Sequence, residues 1–157
     1  DELDEAPANY NIVRMQHGLR RGSSVGLLAG NRNFQGENSG SVGIDTSLFF
    51  SDTLGMTAQL LSVHGPTADG GLAWFLRPSW DTAKSHFHVR YTNLDEGLKG
   101  DLNTVGFLSD DDRTQLDSYF RHVFVLGDHA VEHVLARVNL NTDLRQTSTM
   151  MTREMSA

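Results

Sequence analysis

The stretch Gly40–Gly65, GSVGIDTSLFFSDTLGMTAQLLSVHG, decides the fold. In its first half Val42, Ile44, Leu48 and Phe50 fall on one side, and Gly43, Asp45 and Ser47 on the other. A polar break at Ser51-Asp52 follows. A second run then sets Leu54, Met56, Ala58 and Leu60 on one side. Side chains change face at every residue of a strand, so the stretch predicts two antiparallel strands joined by a tight turn.

The same alternation continues outward in both directions. Residues 1–8 (DELDEAPA) are acidic, carry a proline and read as a solvated linker ahead of a β region over residues 9–144. Tyr10–Leu19 places Tyr10 and Ile12 against Val13 and Met15, and Arg20–Ser23 is turn-like. Ser24–Arg32 sets Val25, Leu27 and Ala29 against Ser24, Gly26 and Gly30, where small residues suggest close approach of neighbouring backbones or a bend. Asn33–Ser39 reads as a polar loop.

On the other side, Gly65–Gly70 is a second loop, and Gly71–Trp80 sets Leu72, Trp74, Leu76 and Trp80 against Ala73, Phe75, Arg77 and Ser79. Asp81–Lys84 is a tight turn. Ser85–Leu94 opposes Phe87, Val89 and Tyr91 to His86, His88, Arg90 and Thr92. Asp95–Asn103 is a longer charged loop, Thr104–Leu108 a short apolar piece and Ser109–Arg113 a break. Thr114–Leu126 places Leu116, Phe120 and Phe124 against Asp117, Tyr119 and Arg121. After a turn at Gly127–His129, a last strand from Ala130 to about Leu144 sets Val134, Ala136, Val138 and Leu140 against His133, Arg137, Asn139 and Asn141. Residues 145–157 form a polar tail with no assigned element.

Composition bounds the function. The 157 residues suit one domain, and 38% hydrophobic content with 15 glycines fits many short strands better than a helical bundle. A net charge of −7 argues against a nucleic-acid partner. The lack of cysteine excludes a disulfide framework and a cysteine zinc site, and it fits the cytosol or a bacterial envelope that avoids thiols. No run reaches the ~18 apolar residues of a membrane helix, a test that does not see β-strands.

The expected fold is therefore all-β: an antiparallel meander of about eight strands, each of about 10 residues, with short connections on one side and longer ones on the other. Such a meander suits part of a transmembrane β-barrel, and a soluble β-sandwich gives a similar reading. Arg32, Asp45, Gln59, Arg77, Arg90, Arg121 and Arg137 lie mid-strand opposite apolar neighbours. A sandwich puts them in solvent; a barrel puts them in a polar lumen.

One set of segments favours the barrel. Ser23–Arg32 (SSVGLLAGNR), Val42–Asp45 (VGID), Tyr91–Gly97 (YTNLDEG), Asn103–Leu108 (NTVGFL) and Asp111–Arg113 (DDR) occur in that order. The chain thereby resembles a family of outer-membrane β-barrel domains of unknown function, over about Asn9 to His122. In that family the barrel commonly follows a periplasmic carbohydrate-binding module of the family-9 type. Gly30 and Leu102 depart from the pattern, where a larger polar residue and an aromatic are common. The resemblance implies a bacterial outer-membrane location, with outer-membrane lipid and the missing remainder of the same barrel as partners. Carbohydrate is a further implied partner, through the usual companion module. The opening at Asp1 without a signal peptide, and the end at Met155-Ser156-Ala157 without a closing aromatic, suggest a piece of a longer protein.

No motif calls for a cofactor. His86 and His88 form an HxH pair that lacks a third metal ligand in recognisable spacing, and His122, His129 and His133 suit no standard site, so no metal is expected. Asp110, Asp111 and Asp112 lack the alternating ligands and glycine of a calcium loop, and Asp95, Glu96 and Asp101 read as a solvated loop. No serine elbow or phosphate loop occurs, and no catalytic residue is named. Trp74, Trp80, Tyr91 and Phe75 suit an aromatic girdle or core, or a sugar-stacking site.

The first expectation is a non-enzymatic barrel segment, a pore or docking surface for polar or saccharide-derived solutes. Its lumen residues would be Arg32, Asp45, Arg77, Arg90 and Arg121. The alternatives are a soluble periplasmic or extracellular β-sandwich that binds glycans through Trp74 and Trp80, and a carboxylate-dependent hydrolase acting at Asp95–Asp112.

Overall fold

Backbone pairing turns the alternation into one sheet. The computed structural model describes residues 7–66, 71–103, 111–127, 133–145 and 150–156, which form a nine-stranded antiparallel sheet in strict chain order. The strands are β1 (Asn9–Gly18), β2 (Ser24–Phe34), β3 (Glu37–Phe49), β4 (Leu54–His64), β5 (Gly71–Asp81), β6 (Ser85–Leu94), β7 (Arg113–Val125), β8 (His133–Arg145) and β9 (Met150–Ser156). The expected meander of about eight strands is found as β1 to β8, and β9 adds a ninth in the stretch that reads as a polar tail. Each strand pairs with its sequence neighbours, so the sheet is open, with β1 and β9 at its edges. Outside the described residues lie most of the acidic lead-in, the apolar piece Thr104–Leu108, Asp110 and His129.

Turn chemistry sets the hairpins. In the opening hairpin the amides of Phe50 and Ser51 donate to the Leu54 carbonyl (2.9 and 3.3 Å). The Ser51 hydroxyl accepts from the amides of Thr53 and Leu54 (3.2 and 3.0 Å), so serine at the break closes the turn. The Thr82 hydroxyl plays the same part between β5 and β6, accepting from the Ser85 amide at 2.9 Å. The expected loop Asn33–Ser39 is instead a tight hairpin. Phe34 pairs with Glu37, and Gln35 and Gly36 both take positive φ (51° and 84°), as a two-residue turn that follows strand twist requires. Its polar residues mask the pairing in sequence, because backbone hydrogen bonds hold it without any apolar side.

The connections do not sort into a short side and a long side. The end of the sheet that carries the Gln35-Gly36 turn is also the end where β4 leads on to β5 and β6 to β7. Between β6 and β7 sits a helical turn, α1 (Leu98–Leu102), where the sequence reads only as a charged loop. Leu98 and Leu102 lie one turn apart and so share a face, and the Lys99 amide donates to the Asp111 carboxylate at 2.8 Å.

Register fixes the two faces. The row Met15–Leu27–Ile44–Leu60–Trp74 runs across β1 to β5, and Leu54–Trp80–Phe87–Phe120–Val138 across β4 to β8. These rows make one apolar face, and most of its large side chains are exposed. Along β5, Leu72, Trp74, Leu76 and Trp80 are exposed while Ala73, Phe75, Arg77 and Ser79 are half-buried, as in a sheet that curls toward its polar side.

The buried apolar cluster is small. Val63, Leu94 and Leu98 form it, with Leu61, Ala73 and Leu102 packed around, where α1 covers one end of the polar face. Gly71 lies beneath α1, and a Cβ there would stand 2.7 Å from Leu98 Cδ2. The chain exposes 10619 Å². A compact monomer of 17.4 kDa exposes ~7,900 Å². The excess reflects a single layer with both faces open. Among the described residues no second sheet packs on the apolar face.

Candidate functional site

The residues that could meet a solute lie on the polar face. Register places Arg32, Asp45, Gln59, Arg77, Arg90, Arg121 and Arg137 all on it. They are spread over β2 to β8 and line a surface; they do not converge on one point.

Arg32 donates to the Tyr10 hydroxyl at 3.1 Å, and its guanidinium lies 4.6 Å from the Phe34 ring centre. Asp45 takes both guanidinium nitrogens of Arg14, from Nη2 at 3.0 Å and from Nη1. This partner of Asp45 is absent from the sequence reading, because Arg14 stands two strands away on β1. The intervening position on β2 is Gly26, where a Cβ would meet Arg14 Nη2 at 2.8 Å and both Asp45 oxygens at 2.9 Å. Glycine leaves the gap through which the ion pair reaches. The close approach at Gly26 is thus one of side chains; the backbone approach lies at Gly40, whose Cβ would meet the Gly30 carbonyl at 2.5 Å. Arg14, Gln16, Asp45, Thr57, Gln59 and Phe75 are among the residues that line a shallow trough of about 500 Å³.

Arg77 and Arg90 follow on β5 and β6. Arg77 Nη2 lies 3.2 Å from His88 Nδ1, and the Arg90 guanidinium stacks 4.4 Å over the Phe75 ring. Phe75 therefore belongs to the polar face, shielded by an arginine. His86 and His88 are joined by a hydrogen bond of 2.9 Å from Nε2 to Nδ1, and His86 Nδ1 pairs with the Asp81 carboxylate. Tyr119 flanks both rings at 5.7 Å. Among the described residues no group of three or more candidate side chains gathers to hold a metal.

The loop carboxylates organise backbone. Asp95 accepts from the Leu72 amide at 3.0 Å and from Asn93 Nδ2 at 3.1 Å, and Asp111 holds the start of α1. Asp112 is buried, with φ at 51°. Asp110 and the side chain of Asp101 lie outside the described residues.

The tryptophans stand on the apolar face. Trp74 stacks on Tyr91 at 5.2 Å and 33°, while Trp80 lies in the row with Phe87 and Phe120. Six residues of strand separate the two, ~20 Å, so they do not share one sugar ring. Ser85 and His122 also meet, Oγ to Nδ1 at 2.7 Å, a contact between β6 and β7 that residue spacing does not reveal.

Among the described residues no helix is long and apolar enough to cross a membrane, which says nothing of strands. Compared with protein-family models, with curated proteins and with solved structures, the chain matches none.

Proposed function

We propose that the sheet is a segment of a transmembrane β-barrel of the bacterial outer membrane, with the apolar face toward lipid and the polar face toward a lumen. The observation that carries this reading is the exposed apolar face itself, which spans the strands from Met15 to Val138 with no protein layer over it among the described residues. Soluble monomers seldom expose contiguous apolar patches beyond a few hundred Å². Strand lengths agree: β2 to β8 run 10 to 13 residues, and a tilted transmembrane strand needs about 9–11. From Leu72 to Trp80 the apolar side of β5 extends ~27 Å, which a tilt of about 35–45° projects to roughly 19–22 Å across an outer-membrane band of ~25 Å.

The lumen face carries Arg32, Asp45, Arg77, Arg90 and Arg121, which suits passage or docking of polar or anionic solutes. The open edges at β1 and β9 call for further strands of the same barrel. The likeness to outer-membrane barrel domains that follow a carbohydrate-binding module belongs to the same proposal.

The test is solubility and insertion. The chain is expected to aggregate in plain buffer and to fold into detergent micelles or lipid vesicles, seen as β-type circular dichroism that resists protease. A monodisperse, cooperatively folded protein in plain buffer would overturn the membrane reading.

A further inference from the structure

Arg121 on β7 and Arg137 on β8 stand directly opposite each other on the polar face, and His86 of β6 stands opposite Arg121 on its other side. Side chains so placed have Cβ atoms about 4.5–5.5 Å apart, and like charges there repel. Both arginines are exposed, and among the described residues neither makes a hydrogen bond or an ion pair. The carboxylate of the same row, Asp81, is already joined to His86. Asp117 lies four residues along β7, ~13 Å away. The neighbouring row offers Tyr119 beside Asn139. Two arginines thus face each other across β7 and β8 with unused donors and, among the described residues, no free carboxylate in their row.

From this juxtaposition we infer that Arg121 and Arg137 form a subsite for the phosphate group of a small solute. The inference rests on the reading of this face as a lumen, whose ligand class it narrows. Two uncompensated positive charges match a phosphate, which carries about −1.5 to −2 at neutral pH, better than a singly charged carboxylate. Two planar forks also suit a group with three free oxygens.

The test uses the whole chain folded in detergent micelles, titrated calorimetrically with inorganic phosphate and separately with acetate. Phosphate is expected to bind more tightly than acetate. Arg121→Gln and Arg137→Gln are each expected to weaken phosphate about tenfold. Lys99→Gln, the same change in net charge on α1 at the opposite end of the sheet, leaves the affinity unchanged. Both arginine variants should fold at least as well as the parent, since each relieves a repulsion, and phosphate should raise the unfolding midpoint of the parent only. Absence of phosphate binding, equal binding of acetate, or an equal loss in Lys99→Gln would each overturn the subsite. Insertion into lipid vesicles is scored in the same preparation. A chain that binds phosphate but stays out of lipid keeps the subsite and loses the membrane reading. A chain that inserts without binding loses the subsite alone.

Discussion

Arg14 and Asp45 are joined across a strand to which neither belongs, through the gap left by Gly26 on β2. The pair ties β1, the sheet's edge, to β3 independently of the backbone ladder. Gly26→Ala is expected to push the guanidinium and carboxylate apart, because an added Cβ falls within 2.9 Å of three of their atoms. Asp45→Asn should therefore lower the urea midpoint in the parent and change it little in the Gly26→Ala background. Strictly additive effects would show that the ion pair does not depend on the glycine.

The contact of Gly71 with Leu98 gives a second prediction. Leu98 is fully buried and cannot swing away from a new Cβ. Gly71→Ala should cost about 1–3 kcal/mol by overpacking, and Leu98→Ala about 2–5 kcal/mol through the cavity it leaves. The double variant should be more stable than the sum implies, since alanine at 98 vacates the space. Denaturant unfolding of the four proteins measures this coupling.

Neighbouring residues of β4 separate the two faces. Leu60 stands between Ile44 and Trp74 on the apolar side, and Gln59 between Asp45 and Phe75 on the polar side. Leu60→Arg is expected to destabilise the folded protein in bilayers by ~2–4 kcal/mol, as arginine does on a lipid face near mid-depth. Gln59→Arg should stay within about 0.5 kcal/mol, the range of a tolerated surface change. Equal effects from both would contradict the assignment of faces.

Tryptophan fluorescence reports the same geometry without placing a charge on the apolar face. In vesicles Trp74 and Trp80 should emit at short wavelength and be quenched by lipids brominated on their acyl chains. Single-tryptophan proteins, Trp74→Phe and Trp80→Phe, assign each signal. Quenching by aqueous iodide with no effect of brominated lipid would place the rings in water.

The sheet was legible in the sequence wherever one face is apolar and the other is not. Leu72, Trp74, Leu76 and Trp80 announce β5 and its outward side, and the arginines from Arg32 to Arg137 fall on one face as alternation requires. Alternation is a local signal, and it fails where the decisive contact is not local. Arg14 meets Asp45 only because two registers and one missing side chain align. Alternation puts Phe75 on the side of Arg77, but the Arg90 that covers it comes from the next strand. The helical turn α1 is too short to show a period. What gives it away is Leu98 and Leu102 one turn apart, a weak mark inside a charged loop. Strand β9 (MMTREMS) has no clean alternation, and pairing with β8 recruits it.

The small cluster of Val63, Leu94 and Leu98 bears on how stability is expressed. With so little apolar surface enclosed by the protein itself, whatever covers the opposite face enters the folding equilibrium as a reactant. The midpoint of unfolding then follows the activity of amphiphile by mass action. Stability becomes a joint property of chain and medium, and a value measured at one detergent concentration holds for that concentration only.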